Sequence, residues 1–408
     1  MNYQQQFIAI DKLLLQSQRL WQVVAFKELT LPWAQVFTHL AVTVDAIDDA
    51  DIDNIDADSE LLYQTLLPSL QQDLEQLGEV WDLSLLMPSF KQLPEVERVL
   101  DKQIDSHFSA HIKGRKWQQI NQFVAGIGEV NEPVLEWCAG KGHLGRLIAK
   151  SQQVEVTSIE WQSALCEAGD AFAQRWQLAQ QFVCADVFND DVSMHFKPQQ
   201  HCVALHACGE LHQQLLAQAS SCQCEQITIS PCCYHLIQTP FYQAMSTLAQ
   251  QSQLVLAKHD LQLPLQQSVI ANDKAKALRL QEVSWRLGFD CLQRDCSGRN
   301  HYLPIPAIKQ SQLSGSFSEF CHWAAAAKQV GLPEHIDFDE YLIRGQQRQA
   351  ITRRIDLVAH LFRQLLEHWL LLDRVCFLQE SGYQVSLTQF CDATVTPRNA
   401  FISAKRVS

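Results

Sequence analysis

Five stretches, 133–137, 154–160, 181–187, 201–206 and 226–230, share one pattern: a short apolar or β-branched run that ends among polar residues and gives way to helical spacing. Runs of this length alternating with amphipathic segments predict parallel strands joined by helices. Leu144, Leu147 and Ile148 make the sheet-facing stripe of the first such helix. Upstream, residues 1–112 read as helices; residues 61–77 carry apolar side chains at spacings of three and four, and Pro68, Pro88 and Pro94 are expected to break the pattern. Past Thr239 the alternation stops and the spacing is mostly helical to about Ala350. A helix over about 351–379 follows, its apolar face drawn from Ile355, Val358, Leu361, Phe362, Leu365, Leu366 and Trp369. Two last strands, 384–390 and 399–405, are predicted to pair as an antiparallel hairpin that completes the sheet. The expected divisions are a helical N-terminal domain (1–112), an α/β core (113–240), a mostly helical insertion (241–350), and a closing helix and hairpin (351–408).

The first strand runs into Glu136-Trp137-Cys138-Ala139-Gly140-Lys141-Gly142-His143-Leu144-Gly145. Glycine at 140 and 142 lets the backbone turn tightly and approach a ligand, and the helix that follows offers unpaired N–H groups at its start. Gly140, Gly142 and Gly145 also fit the G-x-G-x-x-G spacing of a dinucleotide site, with Glu160 near the place of its ribose acid. Glu136 weighs against a dinucleotide, because a carboxylate beside a pyrophosphate repels it. S-Adenosylmethionine carries an ammonium and a sulfonium, and a charge-assisted hydrogen bond from its amino group to Glu136 is worth about 1.5–3 kcal/mol. Two more acids arrive in order: Glu160 ends the second strand, placed for both ribose hydroxyls, and Asp186 ends the third, placed for the adenine amino group. Ligands of open α/β sheets sit at the carboxyl ends of the strands, so three acids in succession predict this cofactor.

The fourth and fifth strands run out into His206-Ala207-Cys208-Gly209 and Pro231-Cys232-Cys233-Tyr234-His235. With Gly114-Arg115-Lys116 and Gln118-Gln119 upstream, and Asp373-Arg374, Gln379-Glu380 and Thr396-Pro397-Arg398-Asn399 near the end, these motifs resemble a group of S-adenosylmethionine-dependent methyltransferases. The group includes the methyltransferase-like 25 proteins and the methyltransferase domain of glutathione S-transferase C-terminal domain-containing protein. The resemblance implies an α/β fold of class I, a Rossmann-like sheet of seven strands with a helical N-terminal region and a helical insertion before the last two strands. It also implies S-adenosylmethionine as cofactor, held by Glu136, Cys138, Gly140, Gly142, Glu160, Asp186 and His206. Cys138 and Lys141 stand where many methyltransferases have small residues, and no Asn-Pro-Pro-Tyr or Asp-Pro-Pro-Tyr is present to orient an exocyclic amine, which argues against an N6-adenine acceptor.

Methyl transfer from a sulfonium is an in-line displacement, so much of the catalysis comes from holding the acceptor about 3 Å from the methyl carbon. Tyr234 and the Pro231-Cys232-Cys233 turn are expected to shape the acceptor pocket, and His235 or His206 to take the proton the acceptor loses. His206 lining the methionine tail of the cofactor, and a covalent route through Cys233, are the alternatives. Three classes of function follow: a methyltransferase on RNA or a translation-related protein, a small-molecule methyltransferase, and a non-catalytic module that binds the cofactor to recruit a partner.

Composition narrows this further. Hydrophobic residues make up 47% of the 408, ample for a packed core, and the net charge of −13 argues against broad DNA binding. Charge is uneven: residues 1–130 hold 19 Asp and Glu against 9 Lys and Arg (net −10), and residues 341–408 hold 9 Lys and Arg against 5 acids (net +4). Lys113, Arg115 and Lys116, and the group Arg344, Arg348, Arg353 and Arg354, are read either as solvated helix faces or as a rim for RNA or an acidic substrate. The 14 cysteines show no framework spacing, and no leader or membrane-length apolar run is seen, so a cytoplasmic protein with reduced thiols and no membrane partner is expected. Asp49, Asp51, Asp53 and Glu60 fall at calcium-loop places, but Asn54 stands where the loop needs glycine, and a solvated acidic linker is preferred. Zinc is weighed from Cys222, Cys224, Cys232 and Cys233 with His235, His206 and Cys208; no cysteine pairs recur at two-residue spacing, and no metal is assigned.

Overall fold

The computed structural model describes residues 1–87, 93–96, 107–110, 112–266 and 273–407, so the break expected at Pro88 lies outside the described residues. Seven strands form one sheet: β1 (Val134–Trp137), β2 (Val156–Glu160), β3 (Gln180–Cys184), β4 (His201–Cys208), β5 (Gln226–Cys232), β6 (Tyr383–Gln389) and β7 (Ala400–Arg406). Their order is β3-β2-β1-β4-β5-β7-β6. The first five run parallel, and β7 lies antiparallel between β5 and β6. This is the Rossmann-like α/β sheet of class I, whose order reverses between β1 and β4, where such sheets open a crevice. Helices Gly114–Ile127 and His143–Gln152 pack on it through Ile120, Phe123, Leu144, Leu147 and Ile148, which share one core with Val134, Val156, Val203 and Phe401.

Chain contacts divide the molecule into two units. The α/β unit comprises Met1–Lys12, Lys91–Leu265 and Leu366–Ser408; the helical unit comprises Leu13–Phe90 and Gln266–Leu365. The four consecutive regions expected from the sequence thus regroup, and specific side chains account for it. The first dozen residues join the α/β unit because Asp11 Oδ1 accepts from Trp369 Nε1 at 2.8 Å and from Ser252 Oγ at 2.5 Å, while Phe7 packs on the Trp369 ring at 5.1 Å.

In the helical unit, helices Asp273–Ser297 and Phe338–Ala359 pack along one another, and Thr38–Asp45 packs on Ser59–Leu77. Acids from the first stretch of this unit meet bases from its second, Gln266–Leu365: Asp49 with Arg354 (2.5 Å), Asp53 with Arg353 (2.7 Å) and Lys276 (2.5 Å), and Asp56 with Arg363 (2.9 Å). Arg344 pairs with Asp295 at 2.6 Å and Arg348 with Asp290 at 2.5 Å. Two expectations are thereby corrected. The acidic stretch is neither a calcium loop nor a solvated linker: part of it is the helix Ile52–Ala57, and three of its acids hold cations. The four arginines are not a free basic stripe, because each has a carboxylate partner; Arg348, Arg353 and Arg354 are largely buried, and Arg344 is partly exposed.

Pro68 does not break its helix but lies inside Ser59–Leu77, which Asp58 caps and left-handed Gly78 ends. The helix expected over 351–379 is two helices, Phe338–Ala359 and Arg363–Glu380, with a tighter turn at His360–Phe362. Among the described residues, no helix is long and apolar enough to cross a membrane.

Candidate active site

The loop after β1 takes its shape from three left-handed residues in alternation, Cys138 (φ 53°), Gly140 (φ 59°) and Gly142 (φ 63°). The non-glycine Cys138 bears a strain of about 1–2 kcal/mol there. Its thiol is pushed up to about 12 by burial, with Glu160 adding to the effect, so it stays protonated. A Cβ on Gly142 would stand 2.3 Å from the Phe182 ring, and one on Gly145 would stand 2.4 Å from Glu136 Oε2, so close packing requires both glycines. Gly140 differs: nothing lies within 4 Å of where its Cβ would be. The loop is open at that point.

Glu160, at the end of β2 and 6% exposed, accepts from the Gly140 N–H through Oε2 at 2.9 Å and from the Gln162 N–H through Oε1 at 3.1 Å. Glu136, expected to meet an ammonium, is 3% exposed and lies beneath the loop. Its Oε2 accepts from Ser158 Oγ at 2.6 Å; Gln180 Nε2 ties Ser158 Oγ (2.9 Å) to the Gly142 carbonyl (3.2 Å). Burial pushes Glu136 up to about 7, against the pull of Ser158 and of the N–H groups of Gly145 and Leu144 at the helix start. β3 ends at Cys184 rather than at 187, so Asp186 lies in the turn beyond. There it accepts from the Phe188 N–H (3.0 Å) and from Asn189 Nδ2 (2.8 Å), bonds that hold it below the usual carboxylate range. Next to Glu160, Trp161 is 67% exposed, a large ring at a strand end that the sequence pattern did not single out.

The two cysteine motifs interlock. The β4–β5 ladder is interrupted between Leu205 and Cys208, where His206 is left-handed at φ 65°, and it resumes with Cys208 opposite Cys232. Gly209 N–H donates to the Cys232 carbonyl, and Glu210 N–H to the Leu236 carbonyl, each at 3.0 Å. The turn that follows β5 is closed by the Leu236 N–H on the Cys233 carbonyl at 2.9 Å, with Cys233 at φ 50°. As a result the sulfurs of Cys208, Cys232 and Cys233 lie within 4.8 Å of one another, with Cys208 and Cys232 3.5 Å apart. Cys222 and Cys224, weighed with them from the sequence, are not in this group. Hydrogen bonds from Cys208 and Cys232, together with the charges of Arg398 and His235, lower the Cys233 thiol, while Cys232 is raised.

His206 Nε2 donates to Gln119 Oε1 at 3.1 Å, and burial, Arg398 and Lys116 lower it, so the ring is neutral with Nδ1 as its basic nitrogen. His235 is half-buried, and its Nδ1 has no partner among the described residues. Tyr234, expected to line the acceptor pocket, is 1% exposed and belongs to the core instead. Its ring lies 5.1 Å from the Arg374 guanidinium and edge-on to His212 at 6.1 Å. Arg374 donates to His212 Nε2 (2.7 Å) and to the Tyr242 hydroxyl (3.0 Å), which in turn donates to Asp373 (2.5 Å). His212 Nδ1 donates to the Ala207 carbonyl at 2.9 Å; burial and Arg374 keep this histidine neutral. Glu367, beside Tyr234 and Arg398, is pushed up to about 7 by burial. Glu367 and the buried Nε of Arg398, which lacks a partner among the described residues, were missed as site groups. Arg398 and Gln119 stand in stretches that carry the family resemblance, which was the available signal.

Residues 115–240 match the family described as a methyltransferase domain. Among solved structures, the chain is similar to a TehB-like SAM-dependent methyltransferase of Corynebacterium glutamicum, at 14% identity over 27% of this chain and 60% of that one, with a TM-score of 0.23. It is similar to geranyl diphosphate C-methyltransferase of Streptomyces coelicolor (11% identity, 33% of this chain and 55% of that one, TM-score 0.26). It is also similar to a tRNA (uracil-54, C5)-methyltransferase of Pyrococcus abyssi (18% identity, 28% of each chain, TM-score 0.24). The chain spans 28% to 60% of the length of these structures. Residues 115–240, the stretch that matches the methyltransferase domain, hold the glycine loop and both cysteine motifs.

Proposed function

We propose that the protein as a whole is an S-adenosylmethionine-dependent methyltransferase acting on a macromolecular acceptor, RNA before a translation-related protein. The observation that carries this reading is the opening at Gly140, where a left-handed residue faces free space beside the buried Glu160 carboxylate. Each Glu160 oxygen holds one backbone N–H, and the second lone pair of each is left for a ribose hydroxyl. Cys138, Gly140 and Gly142 give the loop its curvature, and Asp186 and the exposed Trp161 ring supply an acceptor and a stacking face for adenine. Glu136 takes a positioning role, bracing the loop through Ser158 and the helix N-terminus.

The bound cofactor supplies the methyl group; holding the acceptor and taking its proton fall to the chain. His235, with a buried nitrogen to offer, and neutral His206 are the groups suited to that proton. Tyr234 acts from behind, fixing the turn that presents Cys233 and His235. Lys113, Arg115 and Lys116 are exposed at the start of helix Gly114–Ile127, and the charge of Lys116 reaches His206, which favours a phosphate-bearing acceptor over a small apolar one. Fourteen free thiols support a reducing, cytoplasmic compartment.

Titration calorimetry with S-adenosylmethionine and, separately, NADH tests the cofactor site. Binding of the first alone, lost in Glu160→Ala, is the expected result; absence of binding would undo the proposal. Labelled-methyl transfer into RNA and protein fractions then tests the acceptor, and label in protein alone would replace RNA. His235→Ala is expected to slow transfer by about 10²–10⁴-fold with cofactor affinity spared. An unchanged rate removes His235 from the proton path.

A further inference from the structure

We propose that Cys208, Cys232 and Cys233 form a binding site for a thiophilic divalent cation, with zinc the ion that best suits the donors. The sequence argued against a metal because its cysteines lack the paired spacing of zinc modules, but spacing along the chain is not what brings these three together. Cys208 ends β4 directly opposite Cys232 on β5, and Cys233 follows in a turn whose left-handed backbone points the chain back on itself. The three sulfurs lie within 4.8 Å of one another and the closest pair is 3.5 Å apart. Zinc–sulfur bonds of about 2.3 Å at tetrahedral angles separate sulfurs by about 3.8 Å, so the ion fits with shifts of a few tenths of an ångström to about 1 Å.

The donors are also held before any ion arrives. Gly209 N–H binds the Cys232 carbonyl, Glu210 N–H binds the Leu236 carbonyl, and Leu236 N–H binds the Cys233 carbonyl, so backbone bonds fix all three cysteines relative to one another. Charge is balanced: three thiolates around a divalent ion carry one net negative charge, and Arg398 lies near enough to act on both Cys208 and Cys233. Cys208 and Cys233 are only partly buried, which leaves a path of entry that three cysteines serving purely as packing would not need. Among the described residues no carboxylate belongs to the cluster, so the site selects soft ions over magnesium or calcium. Three protein sulfurs leave a fourth position open for solvent or a further ligand.

The inference does not rest on methyl transfer, because metal content is read without it. The full-length protein, purified under a non-chelating reductant, is reconstituted with zinc, desalted, and its metal measured by mass spectrometry; cobalt(II) is then substituted and its absorption recorded. One equivalent of zinc and a sulfur-to-cobalt charge-transfer band are expected in the wild type. Both are expected to vanish in the Cys208→Ser/Cys233→Ser double variant and to persist in Cys222→Ser, with circular dichroism confirming the fold of each. Zinc well under one equivalent in the wild type, or metal retained by the double variant, overturns the proposal. Should the double variant fail to fold, the wild-type cobalt spectrum decides alone, and a spectrum without the charge-transfer band overturns it.

Discussion

A methyl group added at Gly209 would stand 2.0 Å from the Leu236 carbonyl oxygen, on a residue already at φ 59°. The turn after β5 can therefore fold against the end of β4 only because residue 209 has no side chain. Gly209→Ala is expected to lower the unfolding free energy by about 1–3 kcal/mol or more, read from urea denaturation, and to loosen the cysteine cluster with it. Gly140→Ala is the instructive contrast. Its Cβ meets nothing, so stability should fall only by the left-handed strain of about 1–2 kcal/mol, while calorimetry should show weakened S-adenosylmethionine binding. Glu367 gives a pH signature. Folding raises this carboxyl from 4.5 to about 7, so between those values the folded chain keeps a proton that the unfolded chain has released. Its contribution is full below pH 4.5, is lost as pH rises to about 7, and is constant above. Glu367→Gln should remove up to about 3 kcal/mol of that decline, measured by melting between the two pH values. Glu136, raised to the same value, accounts for a comparable share that remains.

At the scale of elements, helices Asp273–Ser297 and Phe338–Ala359 are joined by Asp290, which is fully buried and takes Arg348 at 2.5 Å and Arg294 at 2.7 Å. Asp290→Ala leaves two cations facing an apolar gap and is expected to cost about 3–5 kcal/mol in a denaturation experiment. These pairs also mark where local pattern stops informing. The parallel strands were legible because each is a short apolar run ending in a polar residue, and the turn of the glycine loop because its glycines are local; the bond from the Gly140 N–H to Glu160 joins two strand ends and is tertiary. The burial of Glu136 was not, since it depends on Ser158 and Gln180 from the neighbouring strands. Arg344 and Arg348 looked like a basic stripe because Asp295 and Asp290, which neutralise them, come some fifty residues earlier. Pro68 was misleading for a smaller reason: a buried apolar stripe including Leu66, Leu70 and Leu74 holds the helix through the one hydrogen bond that proline cannot make. Arg398 and Glu367 reach the cysteine motifs only through tertiary folding, which no spacing rule anticipates.

For the molecule as a whole, each unit draws on separated stretches of chain, three for the α/β unit and two for the helical unit. A protein cut after Leu365 lacks most of helix Arg363–Glu380 and the β6–β7 pair, and with them Arg374, Asp373 and Arg398. It is expected to lose S-adenosylmethionine binding and to give little soluble protein, although the glycine loop and both cysteine motifs remain in it; soluble yield and calorimetry check this. The antiparallel strand β7 carries a further consequence, because it is hydrogen-bonded along β5, yet β5 ends at Cys232 and β7 begins only at Ala400. As the protein leaves the ribosome, β5 must wait with a bare backbone edge while the whole insertion is translated. Such an edge is a template for pairing with other chains, so the nascent polypeptide is expected to be most prone to aggregation after β5 has emerged and before β7 has.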